Sequence, residues 1–428
     1  MSDIIEKNDS PEPTEASQVA AFGGKATGAA AVEVPSYMQR RTLGQMLRGD
    51  LGFIPVLLTL VIVVVYFTIA SGGIFLKPEN LSNLVGQIAT IGILGLGSIL
   101  VLLLGEIDLS IASVSVLCSV IMAVLSERLG APAGVAILVA LLAGAVIGLI
   151  NGLLVAVLRV PAFIVTLAGS IGYAGLLLNL LAGQSTLIIN NRFILAIAGT
   201  PRSFLPDYLG IGLPVIAVLL YAVGLIFNYR RRKISGLRTM SFSRLVSQIA
   251  ITAILVLGAV AVFESYQGVP YSTAILFGLI VLFWLLLTKT AFGRHVYAVG
   301  GNSEAARRAG INVVGVRIAA FTLASTLAAV GGVVAASHGT AVASQIDPTL
   351  LLNAIAAAVI GGVSLFGGRG SVWAIVLGVL IIGSLVNGLA LLSQGTDVSE
   401  MVEGAVLVIA VTVDALIRRA QASSRSGR

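Results

Sequence analysis

Twelve long apolar runs dominate this chain and leave few folds open to it. They lie near Gly52–Ala70, Leu84–Leu104, Ile111–Leu125, Val135–Leu158, Ile164–Leu181, Leu213–Phe227, Val246–Phe263, Ser272–Leu287, Ile318–Ala336, Leu351–Leu365, Val372–Leu392 and Met401–Ile417. A helix needs about 20 apolar residues to cross the hydrocarbon of a bilayer. Most of these runs approach that length. Charged residues make up only 11% of the 428 positions and hydrophobic ones 57%, with a mean hydropathy of +1.03. A soluble domain carries roughly 25% charge on its wetted surface, so this surface must face lipid. Backbone groups in lipid have no water to bond, which leaves α-helices or a closed barrel. Runs this continuous lack the alternation that barrel strands show. The expected fold is all-α, a polytopic transmembrane helical bundle. The third and tenth runs are short, as half-spans or broken helices would be, so ten to twelve spans are expected.

The basic residues give an orientation. With an inside N-terminus, the odd-numbered loops hold only Lys77, Arg128, Arg192 and Arg202 of the 26 lysines and arginines. The others fall in the two tails and the even-numbered loops, with clusters at Arg230-Arg231-Arg232-Lys233 and from Lys289 to Arg317. Cytoplasmic loops retain basic residues, so both termini are expected in the cytoplasm. Dispersed in this way, the net charge of +7 argues against nucleic acid as a partner. Residues 1–50 are polar and read as a disordered cytoplasmic tail, with an interfacial amphipathic helix near Tyr37 to Leu43. They contain no apolar core of a signal peptide. The membrane domain is expected over 51–417 and a basic cytoplasmic tail over 418–428. Cys118 stands alone, so there is no disulfide framework and no thiol metal site.

Glycine spacing speaks to packing. Gly144, Gly148 and Gly152 fall four apart, on one helix face, where a neighbouring helix can approach closely. Gly92, Gly95 and Gly97, and Gly378 and Gly383, suggest similar contacts. The stretch Ile147 to Leu153 is echoed by Ile382 to Leu389 with one residue inserted, the kind of weak internal symmetry that transporter halves show.

No hydrolytic chemistry is visible. His295 and His338 are the only histidines and form no zinc pattern. Gly362-Val363-Ser364-Leu365-Phe366 lacks the final glycine of a nucleophile elbow. Gly23-Gly24-Lys25-Ala26 lacks the Ser or Thr that a phosphate-binding loop needs after its lysine. The chain therefore reads as no enzyme and implies no cofactor or metal. Any driving energy must come from ions or from a partner. Ion relays use acids within the membrane. Glu106, Asp108, Glu403 and Asp414 are the few candidates, and Asp108 or Ser110 would also serve to cap the third helix.

The stretch Thr288 to Arg317 is more informative. Ser303 reads as an N-cap, Glu304 to Ala309 as a short helix, and Gly310 as its stop. A cytoplasmic helix too short and too charged to insert suits docking onto a soluble partner, although a merely solvated loop has the same composition.

These residues carry a resemblance. Gly300-Gly301-Asn302, Ala305-Ala306 and Gly310-Ile311, in that spacing, resemble the cytoplasmic signature of the monosaccharide permeases of ATP-binding-cassette (ABC) importers, the ribose, arabinose, galactose and xylose group. Gly105-Glu106-Ile107-Asp108-Leu109-Ser110 is similar to the family's Gly-Gly-Ile-Asp-Leu-Ser. Val160-Pro161-Ala162-Phe163-Ile164-Val165-Thr166-Leu167 resembles its Val-Pro-x-Phe-Ile-Val-Thr-Leu, and Ala354-Ile355-Ala356-Ala357 through Ile360 to Gly370 its Gly-rich turn. The matches run in order from about residue 50 to 417. An additional hairpin over 213–265 and Phe204-Leu205-Pro206-Asp207 resemble the xylose branch. Two departures stand out: Leu351-Leu352-Asn353 where the family often has Glu-Leu-Asp, and Glu106 where it commonly has glycine.

The resemblance implies a homodimeric, multi-pass permease of a bacterial-type inner membrane, most simply for D-xylose. An ABC ATPase would bind on the cytoplasmic side and a sugar-binding protein would deliver cargo outside. It places ATPase coupling in the loop 288–317, at Gly301, Asn302, Glu304, Ala305, Ala306, Gly310 and Ile311. Asp108, Ser110, Asn151, Thr166 and Asn387 are the candidates for polar contacts along the translocation pathway. An ion-coupled secondary sugar transporter is the alternative, and a membrane scaffold without transport a third reading.

Overall fold

The structure is a computed structural model, and it describes residues 54–199, 203–237, 239–406, 408, 409 and 412. The expected N-terminal tail with its interfacial helix, the basic C-terminal tail and Asp414 lie outside the described residues.

Fourteen helices are named here in chain order. The first five are α1 (Ile54–Ala70), α2 (Pro78–Leu103), α3 (Ile111–Ala123, prolonged by a π turn Val124–Arg128), α4 (Ala133–Ala156) and α5 (Ala162–Leu181). Next come α6 (Arg192–Ala198), α7 (Asp207–Ile234), α8 (Phe242–Glu264), α9 (Tyr271–Lys289) and α10 (Ala291–Gly301). The series ends with α11 (Ser303–Arg308), α12 (Val313–His338), α13 (Pro348–Ile360) and α14 (Ala374–Leu391), followed by helical turns over 396–406. Two short strands, β1 (Thr186–Ile188) and β2 (Ala341–Ala343), pair antiparallel with Leu187 opposite Val342.

Among the described residues, nine helices are long and apolar enough to cross a membrane, and 56–70 and α13 are shorter apolar helices. The third run, expected to be short, reaches span length because the π turn continues α3 to Arg128. The tenth is short as expected. The twelfth lies partly outside the described residues.

Helix α2 is buried along most of its length, and α12 packs against α2, α3 and α4. The α4–α12 contact follows directly from the glycine spacing. Gly144 meets the Ser325 carbonyl, Gly148 the Phe321 carbonyl and Thr322 Cα, and Gly152 the Ile318 Cα. With no Cβ on α4, the two backbones touch.

Helices α7 and α8 pack on each other as a hairpin and bury few residues. Leu220, Ile254 and Leu255 are about two-thirds exposed or more, at 67, 71 and 67%. Apolar surface of this extent is stable only against lipid or protein.

Candidate functional site

Between α2 and α3 the chain breaks. Helix α2 ends at Leu103, Gly105 turns in the left-handed region (φ 78°), and the backbone runs irregularly to Ser110 before α3 starts. Irregular backbone beside membrane spans must find its hydrogen-bond partners within the protein, and here it does. The Ser110 hydroxyl and its backbone N–H both donate to Asp108 Oδ1, at 2.6 and 2.8 Å. From α4, Asn151 Nδ2 donates to Ser110 Oγ at 3.3 Å, and Tyr173 OH on α5 donates to Asn151 Oδ1 at 2.8 Å. The Leu109 N–H donates to Thr166 Oγ1 at 3.0 Å, while that hydroxyl donates to the Ala162 carbonyl at 2.9 Å.

Four of the five pathway candidates, Asp108, Ser110, Asn151 and Thr166, therefore converge on one break, and all four are buried. Asn387 does not join them. It lies on α14, where its Oδ1 accepts from Asn80 Nδ2 at 2.9 Å. Of the two capping candidates, Ser110 holds the N-cap position of α3, but its side chain makes no capping hydrogen bond, because its hydroxyl and N–H both go to Asp108 Oδ1. Asp108 Oδ2 is buried with no hydrogen-bond partner among the described residues. Burial pushes the Asp108 carboxyl above its usual range, against the pull of the two Ser110 hydrogen bonds. Tyr173 is not legible from the sequence, because a tyrosine in an apolar span looks like packing until its partner is known.

A second pairing at the break is equally hidden. Glu106 Oε1 stands 3.1 Å from Arg317 Nη2 near the start of α12, both side chains largely buried. Desolvation lifts the Glu106 carboxyl above the ordinary range, and Arg317 opposes the lift. The folded chain then holds this proton more tightly than the unfolded chain does. The group's contribution favours folding at low pH and declines as pH rises from the unfolded value through the raised one. Glu106→Gln, which keeps a carbonyl oxygen for Arg317, is expected to flatten that part of the stability–pH curve. Thermal unfolding in detergent across the weakly acidic range reads it directly; parallel wild-type and variant curves would refute the assignment.

The segment 291–317 forms two consecutive helices where one was expected. Helix α10 packs Val296 and Val299 into the core, and Tyr297 OH donates to the Gly370 carbonyl at 2.9 Å. Helix α11 is capped by Asn302, whose Oδ1 accepts from the Ala305 N–H at 2.9 Å. That corrects the expectation of Ser303 as the cap: Ser303 is the first helical residue. Gly310, at φ 84°, ends α11, with the Ile311 N–H bonding the Ala306 carbonyl at 3.0 Å. Glu304 pairs with Arg308 at 3.2 Å and, more loosely, with Arg307 at 4.0 Å. Ala305 and Gly301 are exposed, Ile311 is half-buried, and Ala306 is buried against the core.

The segment 291–311 touches the break through glycines. The Gly368 N–H donates to the Leu103 carbonyl at 2.9 Å, and Gly300 lies so close to that carbonyl and to Gly368 that no side chain would fit. The end of α2, the end of α10 and the 361–370 turn thus meet backbone to backbone. Asn353, one of the departures noted above, is buried on α13.

No group of three or more His, Cys, Asp or Glu side chains that could hold a metal ion occurs among the described residues. A buried polar network in the 104–110 connection between two span-length helices, joined to a short exposed helix, is set here within a polytopic helical membrane protein. Comparison makes the class specific: the chain belongs to the family described as branched-chain amino acid transport system permease components, whose model matches residues 80–411. It is 35% identical to the xylose transport system permease protein of Haemophilus influenzae, over 84% of this chain and 94% of that one. It is 36% identical to the corresponding protein of Escherichia coli, over 84 and 91% of the two chains, and 32% identical to the ribose import permease protein of Bacillus subtilis, over 79 and 86%. No solved structure matches.

Proposed function

We propose that this chain is the membrane-spanning permease subunit of an ABC sugar importer, with D-xylose as its cargo. The observation that carries the reading is its near full-length similarity to permeases of sugar transport systems, the two xylose ones among them. In this reading both termini face the cytoplasm of a bacterial inner membrane, two copies assemble, a sugar-binding protein delivers cargo outside, and ATP is hydrolysed by a separate partner. Helix α11 presents its exposed face to that partner. The backbone contact of Gly300 and Gly368 with Leu103 then links α11 to the 104–110 connection, on which Asp108, Ser110, Asn151 and Thr166 converge. Uptake of labelled xylose by cells expressing permease, ATPase and binding protein tests the cargo. Unlabelled xylose is expected to compete more strongly than ribose, arabinose or galactose, and a stronger competitor among these would replace xylose in the assignment.

The docking face makes a sharper claim. Ala305 is exposed while Ala306 is packed inside, so Ala305 alone separates docking from folding. Ala305→Arg is expected to lower uptake roughly tenfold or more, the effect of about 1.4 kcal/mol of lost interaction, with an unchanged melting temperature. Capture of the ATPase by the purified variant should fall in parallel. Normal capture and uptake would remove α11 from the coupling surface.

A further inference from the structure

A cavity of about 690 Å³ opens where α4 ends and α5 begins, against the start of α12. Its charged wall is Arg159, Arg307, Arg317 and a single acid, Glu106. Only Arg317 is matched to that acid at close range, and its Nε is buried with no hydrogen-bond partner among the described residues. Arg159 makes no ion pair or hydrogen bond among the described residues and sits in the left-handed region at φ 57°. A non-glycine residue there is held at a cost in backbone energy. Pro161 and Val313, at the N-terminal ends of α5 and α12, also line the cavity, so two helix dipoles direct their positive ends towards it. Three guanidinium groups against one carboxylate, with two helix N-termini, leave the cavity net positive and favour an anion.

The neighbouring surface says which kind of anion. Val157, Leu158 and Phe163, beside the cavity in sequence, are exposed at 53, 65 and 53%. Residues 157–161 join two membrane-spanning helices, so this is the boundary where acyl chains meet headgroups. We propose that the cavity binds the phosphate of an anionic phospholipid headgroup, with the acyl chains lying on Val157, Leu158 and Phe163. Basic pockets between transmembrane helices on the cytoplasmic side recognise such headgroups. Placing the site in the inner leaflet rests on the orientation proposed above; the binding itself does not.

The test uses the full chain purified in detergent, with bound lipid counted by native mass spectrometry and thermal stability followed alongside. Phosphatidylglycerol is expected to bind and to raise the melting temperature, while phosphatidylcholine and inorganic phosphate do neither. Arg159→Gln should weaken phosphatidylglycerol binding roughly fivefold, the effect of one basic group at a membrane surface. Arg159→Lys should keep most of it. Arg230→Gln, outside the cavity, should change nothing. Equal binding of the two lipids, or an unaltered Arg159→Gln variant, overturns the proposal. An equal response to inorganic phosphate makes this a site for a free anion and overturns the lipid assignment. Unchanged lipid binding with weakened ATPase capture makes it a protein-docking surface, and the proposal fails. Because lipid is counted and not transport, these outcomes leave the transport reading to its own tests.

Discussion

Asp108→Ala is expected to reduce sugar uptake to near background, while Asp108→Asn keeps the fold and part of the activity. The carboxylate accepts two hydrogen bonds from Ser110 and thereby holds the start of α3 against α4 and α5. Alanine leaves a buried hydroxyl and a buried N–H without an acceptor, at about 1–3 kcal/mol for each group. Ser110 also receives the hydrogen bond from Asn151, so its reorientation disturbs the link to Tyr173. Asparagine retains the accepting oxygen and carries no charge. Since burial already disfavours the Asp108 carboxylate, stability in the asparagine variant should be equal to or above that of the wild type. The check is uptake per correctly folded molecule, with folding scored by gel filtration and melting temperature. An alanine variant that folds and transports normally would mean that the network is only packing.

The second large effect is structural. Gly148→Leu places a branched side chain where even a Cβ would stand 2.5 Å from the Phe321 carbonyl oxygen and 2.7 Å from Thr322 Cα. Backbone atoms cannot swing aside as a side chain does, so α4 and α12 must separate. Overpacking of this kind costs about 1–3 kcal/mol and occasionally more. Here α12 also packs on α2 and α3, so the displacement spreads into the buried centre. A sharply lower melting temperature and aggregation on gel filtration are expected. Gly172→Leu on α5, where an added Cβ would meet no neighbouring atom within 4 Å, should be tolerated by the same assays. Similar behaviour of the two variants would contradict the close helix contact.

How far the sequence discloses this arrangement depends on the range of the interactions. Spans, the glycine face of α4 and the stop at Gly310 are local or periodic, and each can be read from spacing. The cap of α11 falls one residue before the expected Ser303, because Asn302 and Ser303 are both good capping residues and only backbone geometry decides between them. Asp108 looks like a cap in sequence because its partner, Ser110, is itself a capping type. Glu106 with Arg317, Asn151 with Tyr173 and Asn80 with Asn387 join residues on different elements. Nothing periodic marks such pairs, since each depends on which helices the bundle brings side by side. The additional helix α10 is hidden for a different reason: its apolar and polar residues alternate too briefly to separate it from the end of α9.

The central claim is that the chain transports sugar with energy supplied by a partner ATPase acting through α11. It is tested most directly in proteoliposomes that contain the permease, the ATPase and the binding protein, with ATP inside and an uncoupler added. Uptake that requires ATP and the ATPase, and persists when the ion gradients are collapsed, is the expected result. Uptake that survives without the ATPase and vanishes with the uncoupler would contradict the claim and make the chain an ion-coupled secondary transporter.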